Sequence, residues 1–146
     1  MATVVVNARF CDKTHRITVK MRDDGDLDLV VDSDCEHVAL YGENIGPVIT
    51  MADVTDRDGS RIFDPKVQEP LTMTCLAPIA ILDAAWLEMG MMSKNRALEI
   101  KKDEISFEEV SNDCGESTMS MACRGRSLRQ LQIQTYQIGC SQDSRL

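Results

Sequence analysis

No run of apolar residues approaches the roughly 20 needed for a bilayer-spanning helix. The opening Met-Ala-Thr-Val-Val-Val has neither the basic region nor the cleavage site of a secretory signal, so a cytoplasmic location is expected. Basic residues are scarce: 16 Lys and Arg stand against 24 Asp and Glu, for a net charge of -8 and a pI near 4.7. Phosphate backbones and anionic membranes repel such a chain, so nucleic acid and membrane are not expected partners. Other proteins, including a second copy of this chain, are. With two His and no recognisable serine motif, no nucleophile–base–orienter set is legible, which favours a non-enzymatic role without deciding it. The sequence shows no internal repeat and no nucleotide-binding glycine pattern.

The stretch that organises the chain is Pro70 to Pro78, which leads into the apolar segment Ile79–Met89. Only Asp83 and Glu88 carry charge between Leu76 and Met89, so this segment reads as the buried helix of the fold. Thr74 is the expected N-cap, Pro78 fits the first turn, and Gly90 stops the helix. Cys75 then sits at a helix N-terminus, where free N–H groups and the helix dipole favour a thiolate.

Upstream, Thr3–Phe10 reads as a Val-rich strand. Arg16–Met21 alternates, with Ile17, Val19 and Met21 on one face, and Leu27, Leu29 and Val31 continue the pattern. The intervening Arg22-Asp23-Asp24-Gly25-Asp26 carries a hairpin signal in Asp24-Gly25. The expected class is α+β: a three-stranded antiparallel sheet covered by helices. If the turn centres on Asp24-Gly25, Cys35 faces Thr14 at the open end of the hairpin, with Cys11 just beyond in the loop Cys11–His15.

Ser33-Asp34-Cys35-Glu36 matches a capping box for a short helix ending at Gly42. Val48–Val54 could form a helical turn or two. Asp53–Gly59 resembles a calcium loop only superficially, lacking regular oxygen ligands and a closing Glu, and reads as a solvated loop. Ala97–Ile100 and Ile105–Glu109 are candidate short strands. Residues 1–110 form the expected domain. Residues 111–146 form a polar Gln/Ser/Arg-rich extension, with four Arg against three acidic residues, that is either disordered or a docking segment. Cys114, Cys123 and Cys140 lie there without a standard ligand spacing.

Six cysteines in a cytoplasmic chain point to metal or redox chemistry rather than disulfides. Cys11 from a loop, Cys35 from a helix start and Cys75 from the head of the apolar helix converge on one end of the sheet. Three thiolates suit zinc, copper(I) or an iron–sulfur cluster, with Asp12, His37 or His15 as a fourth ligand. His37 lies one turn from the start of the Cys35 helix, whereas His15 should point along its strand. Spacing alone leaves open that the three are simply small buried side chains.

These features resemble the iron–sulfur cluster assembly scaffold family, of IscU/NifU-N-like (SufE/IscU-like) fold. They comprise a Cys in a loop, the strand Ile17-Thr-Val-Lys-Met21, an Asp-Gly turn, a strand ending at Ser33-Asp34-Cys35, and a Pro-containing lead into Cys75. The resemblance covers about residues 3–89 and implies cluster binding by Cys11, Cys35 and Cys75. The chain departs from the family pattern at Lys13, where the family has Asp, and at Thr74, where it has His. The chaperone-recognition segment keeps only Pro70 and Leu71, with Thr72 in place of Lys. The start Cys75-Leu-Ala-Pro-Ile-Ala-Ile-Leu82 also resembles small archaeal proteins with a Cys-x-x-Pro-x-Ala-Ile-Leu motif, which carry no function with them.

The leading expectation is therefore a metal- or iron–sulfur-cluster-binding protein that acts in cluster assembly or transfer, with an iron–sulfur cluster or zinc as cofactor. One alternative is thiol redox or sulfur transfer, with Cys75 accepting a persulfide and Cys35 resolving it. The other is a non-catalytic accessory subunit of a larger complex.

Overall fold

The alternation of Ile17 and Val19 with polar neighbours builds β2 (Lys13–Met21), and Leu27 and Leu29 build β3 (Leu27–Ser33). The two pair antiparallel around the turn Arg22–Asp26, with Met21 opposite Leu27 and His15 opposite Ser33. Gly25 has φ +91°, a conformation that L side chains rarely adopt, which explains the Asp-Gly signal. β1 (Ala2–Ala8) pairs antiparallel with β2. The structure, a computed structural model, describes residues 1–109.

The sheet has four strands, not three. β4 (Val48–Ile49) pairs with β3, giving the order β1-β2-β3-β4. It was hidden because the apolar run from Val48 continues into a helix, α2 (Met51–Thr55), so one segment supplies both a strand and a helix. The register of β2 and β3 also differs by one residue from expectation. Thr14 lies beside Asp34, not Cys35: its carbonyl accepts the Asp34 N–H and its own N–H donates to the Asp34 carboxylate at 2.8 Å.

Helices cover one face of the sheet. α1 (Glu36–Ile45) packs on β3, and α3 (Ala77–Met89) packs on β1 and β2. Ile17, Val19, Leu27 and Leu29 meet Val38, Tyr41 and Ile45 of α1 and Ala77, Ala80, Ile81, Ala84 and Ala85 of α3 in the core. Small residues on the inner face of α3 allow it to lie close to the sheet. Its outer face exposes Ile79 and Trp86, so α3 is apolar all round without being buried all round.

Three helix boundaries differ from expectation. α1 starts with Cys35 as N-cap and no side-chain cap, because Ser33 ends β3, where its hydroxyl accepts the Cys35 N–H and bonds His15. α1 also runs through Gly42. A Cβ there would lie 2.9 Å from the Cβ of Val31, so this glycine permits close helix–sheet approach and is not a stop. α3 begins at Ala77 with Leu76 as N-cap, which leaves Thr74 outside the cap, and ends as expected at left-handed Gly90.

The segment expected to contain a strand over Ala97–Ile100 is a helix, α4 (Lys94–Ile100). It is capped by the Ser93 hydroxyl, which accepts the Arg96 N–H. Ile105–Glu109 adopts no regular structure. The chain divides into a unit Met1–Glu104 and a unit Ile105–Leu146. The expected extension 111–146, with Cys114, Cys123 and Cys140, lies outside the described residues. Among the described residues no helix is long and apolar enough to cross a membrane.

Candidate functional site

Cys11 is exposed in the β1–β2 turn. Its N–H donates to the Ala8 carbonyl, and Asp12 beside it takes a left-handed backbone with φ 54°. Cys35 is half-buried at the start of α1, and Cys75 is half-buried two residues before α3; both pack against the core. All three thiols are free. Glu88, near the C-terminal end of α3, accepts the Met21 N–H and pairs with the Met1 amino group at the far end of the sheet, so the head of α3 with Cys75 lies at the same end as the Cys11 turn and Cys35.

The Cys75 thiol is not activated. Burial pushes its pKa up; the Ala77 N–H, at the head of α3, pulls it down; the charges of Cys35 and Cys11 raise it further. The expected helix-start effect is present, since a first-turn N–H reaches the sulfur, but desolvation outweighs it. The nearby Tyr41 is also shifted upward, by burial first and then by the charge of Cys75. Its hydroxyl donates to the Ile62 carbonyl at 2.9 Å. Anionic charge at this pole is therefore disfavoured unless a cation accompanies it.

Asp12 and His37 are exposed, His37 in the first turn of α1. Among the described residues, no three His, Cys, Asp or Glu side chains meet closely enough to hold a metal ion as they stand. His15, expected to point along its strand, instead faces inward and is buried. Its Nδ1 lies 2.7 Å from the Ser33 hydroxyl, and burial lowers its pKa against the opposing influence of Asp34 and the Thr14 backbone. Its position in phase with Ile17 and Val19 was the available signal, because a strand residue two before a core residue shares its face.

A second polar centre was missed from sequence. Asp53, read as part of a solvated loop, is only 4% exposed and lies in α2. It closes a capping box with Thr50, accepting the Thr50 N–H at 2.8 Å and the Thr50 hydroxyl at 2.9 Å. It also accepts the Arg61 N–H at 3.0 Å and pairs with the Arg61 guanidinium at 2.6 Å. Burial alone would raise the Asp53 pKa, but the bonds from Arg61 and Thr50 hold it well below the usual carboxylate range. Arg61 reaches on to the carbonyls of Ile45 and Val48 and so ties α1, β4 and α2 together. The Thr50-x-x-Asp53 spacing carried the signal.

An α+β domain with a four-stranded antiparallel sheet and helices on one face defines the class of this protein. The chain belongs to the Family of unknown function (DUF6951), whose family model matches residues 2–100, from β1 through α4. No curated protein and no solved structure matches the chain.

Proposed function

We propose that this protein binds a thiophilic metal ion, zinc, or an iron–sulfur cluster through Cys11, Cys35 and Cys75, with Asp12 or His37 as a further ligand. The IscU/NifU-N-like resemblance extends the proposal to cluster assembly or transfer in the cytoplasm with protein partners, and without nucleic acid or membrane. The observation that carries the reading is that three different elements place these thiols at one end of the sheet, Cys11 in the β1–β2 turn, Cys35 after β3 and Cys75 at the head of α3, whose far end bonds Met21 and Met1 through Glu88. The donor set fits such a group chemically, since soft thiolates are preferred ligands for zinc and iron–sulfur clusters.

The raised Cys75 pKa favours metal over free-thiol chemistry. A nucleophilic or persulfide-accepting cysteine needs a thiolate near neutral pH, which burial and neighbouring thiols oppose here. A bound cation would compensate that charge, and binding would release the thiol protons. Because no ready-made ligand group stands among the described residues, ligation requires a local rearrangement that draws the three thiols together. When bound, the group would supply a tetrahedral structural centre or an exchangeable cluster. The chain's own part is to hold Cys35 and Cys75 against the core at the heads of α1 and α3 and to present Cys11 from the exposed β1–β2 turn.

Anaerobic purification followed by metal and acid-labile sulfide analysis tests this reading. Stoichiometric metal that is lost in the Cys11→Ser/Cys35→Ser/Cys75→Ser triple variant is expected. Substoichiometric metal that the triple variant leaves unchanged would overturn it.

A further inference from the structure

The outer edge of β1 has no backbone partner among the described residues, since β1 is the terminal strand of the sheet. Exposed edges are ordinarily blunted by charge, proline, a bulge or shortness. The opposite edge follows that rule, because β4 has two residues. β1 does not follow it: Ala2-Thr3-Val4-Val5-Val6-Asn7-Ala8 is seven residues long, with no charged side chain and no proline, and it pairs with β2 without interruption.

The direction of its backbone groups follows from the ladder. The Leu29 N–H donates to Pro47, on the β4 side, so Val30 and its even-numbered neighbours in β3 face β2. Thr18 and Arg16, opposite Val30 and Asp32, therefore face β3, as the bond from Asp34 to the Thr14 carbonyl also requires. Ile17 and His15 are left to bond Val4 and Val6 of β1. Thr3, Val5 and Asn7 consequently direct their N–H and C=O groups away from the sheet, apart from the Asn7 carbonyl's bond to the Arg9 N–H. A carbonyl can accept a second bond.

We propose that β1 pairs antiparallel with β1 of a second copy of this chain, about a two-fold axis at Val5. The strand is nearly palindromic about that residue. The axis sets Val5 against Val5, Val4 against Val6, Thr3 against Asn7 and Ala2 against Ala8, so hydrophobic meets hydrophobic and polar meets polar. Val5 has the outward N–H and C=O that a hydrogen-bonded pair on the axis needs. Val4 and Val6, half-buried against the core, would gain cover from the partner. The absence of charge from β1 matters because each copy carries -8, and a charged edge would add repulsion at closest approach. Antiparallel joining places the two Cys11 turns at opposite ends of the combined sheet, so pairing covers neither thiol pole.

Sedimentation equilibrium of the full chain over a concentration series tests the proposal, with an expected mass twice the 16.3 kDa of one chain. Val5→Pro removes the outward N–H at an edge position, where a sheet tolerates proline, and Val5→Lys places like charges side by side on the axis. Both should yield a monomer with native circular dichroism. Val30→Lys, on the open sheet face but away from the edge, should remain dimeric. Hydrogen exchange of the wild type gives a readout independent of any variant. The Thr3, Val5 and Asn7 amides should become protected as concentration rises, joining the already protected Val4 and Val6. A wild-type monomer across the series, a dimer that persists in both Val5 variants, or unprotected Thr3, Val5 and Asn7 amides in a dimer would overturn the proposal.

Discussion

Replacing Asp53 by Asn tests how the 45–62 region is held to the sheet. Asp53 is 4% exposed, while the Arg61 side chain is 42% exposed, so the two halves of the ion pair respond differently to its loss. Breaking a fully buried pair costs about 3–5 kcal/mol, but the guanidinium can recover part of its hydration, which brings the expectation to about 2–3 kcal/mol. Asp53→Ala also removes the cap on α2, which adds about 1 kcal/mol. For a domain of about 100 residues each kcal/mol shifts Tm by about 4–8 °C, so Asp53→Asn should melt roughly 8–24 °C lower. Urea unfolding at neutral and acidic pH is the assay. The folded-state pKa of Asp53 is depressed, so its contribution is fully present above the ordinary aspartate range near pH ~4 and is lost as pH falls below it. The gap between wild type and Asp53→Asn should therefore narrow on acidification. A neutral-pH difference below about 0.5 kcal/mol, the usual scatter of surface substitutions, or a gap independent of pH would refute the reasoning.

Two further outcomes follow from the packing and the thiol pole. Gly42→Ala should destabilise by about 1–3 kcal/mol despite alanine's better helix propensity, because the added Cβ meets the Val31 Cβ at 2.9 Å; Val31→Ala in the same chain removes the two Cγ atoms at 3.2 and 3.3 Å but keeps that Cβ, and should recover only part of the loss in urea melts. Cys75 has a raised pKa, so the unfolded chain ionises first; its contribution is intact below the ordinary thiol pKa near ~8.5 and declines as pH rises beyond it. Cys75→Ser should flatten that decline in thermal melts taken from neutral to alkaline pH, and an unchanged slope would count against the burial argument.

The hairpin was legible because Ile17, Val19, Leu27 and Leu29 alternate around a turn containing Gly25, and a half-buried sheet imposes that period. The end of α3 was legible because Gly90 has the left-handed backbone its position suggested. Gly42 misled for the opposite reason. Its role is set by Val31, a residue distant in sequence, which a local cap rule cannot register. Asp53 misled because its partner Arg61 lies beyond a loop rich in acidic residues, so the segment appeared uniformly solvated.

For the candidate site, the placement of Cys11 and Cys35 at one end of the sheet was readable from the order of strands, even though the β2–β3 register differed by one residue. A one-residue slip changes which residue faces Thr14 but not which end of the sheet Cys35 occupies. Their protonation was not readable. The helix-start argument weighs only dipole and N–H groups, whereas the Cys75 thiol is governed first by burial against the core, a quantity that exists only in the folded chain.

The proposed function requires that the three cysteines bind a soft metal. The most direct measurement is an anaerobic zinc titration of the reduced, metal-free chain by calorimetry in buffers of different ionisation enthalpy, which reports both binding and proton release. Saturable stoichiometric binding accompanied by release of thiol protons is expected, with loss of that signal in the Cys11/Cys35/Cys75 triple Ser variant. Absence of binding, or binding with the same proton release in the triple variant, would contradict it.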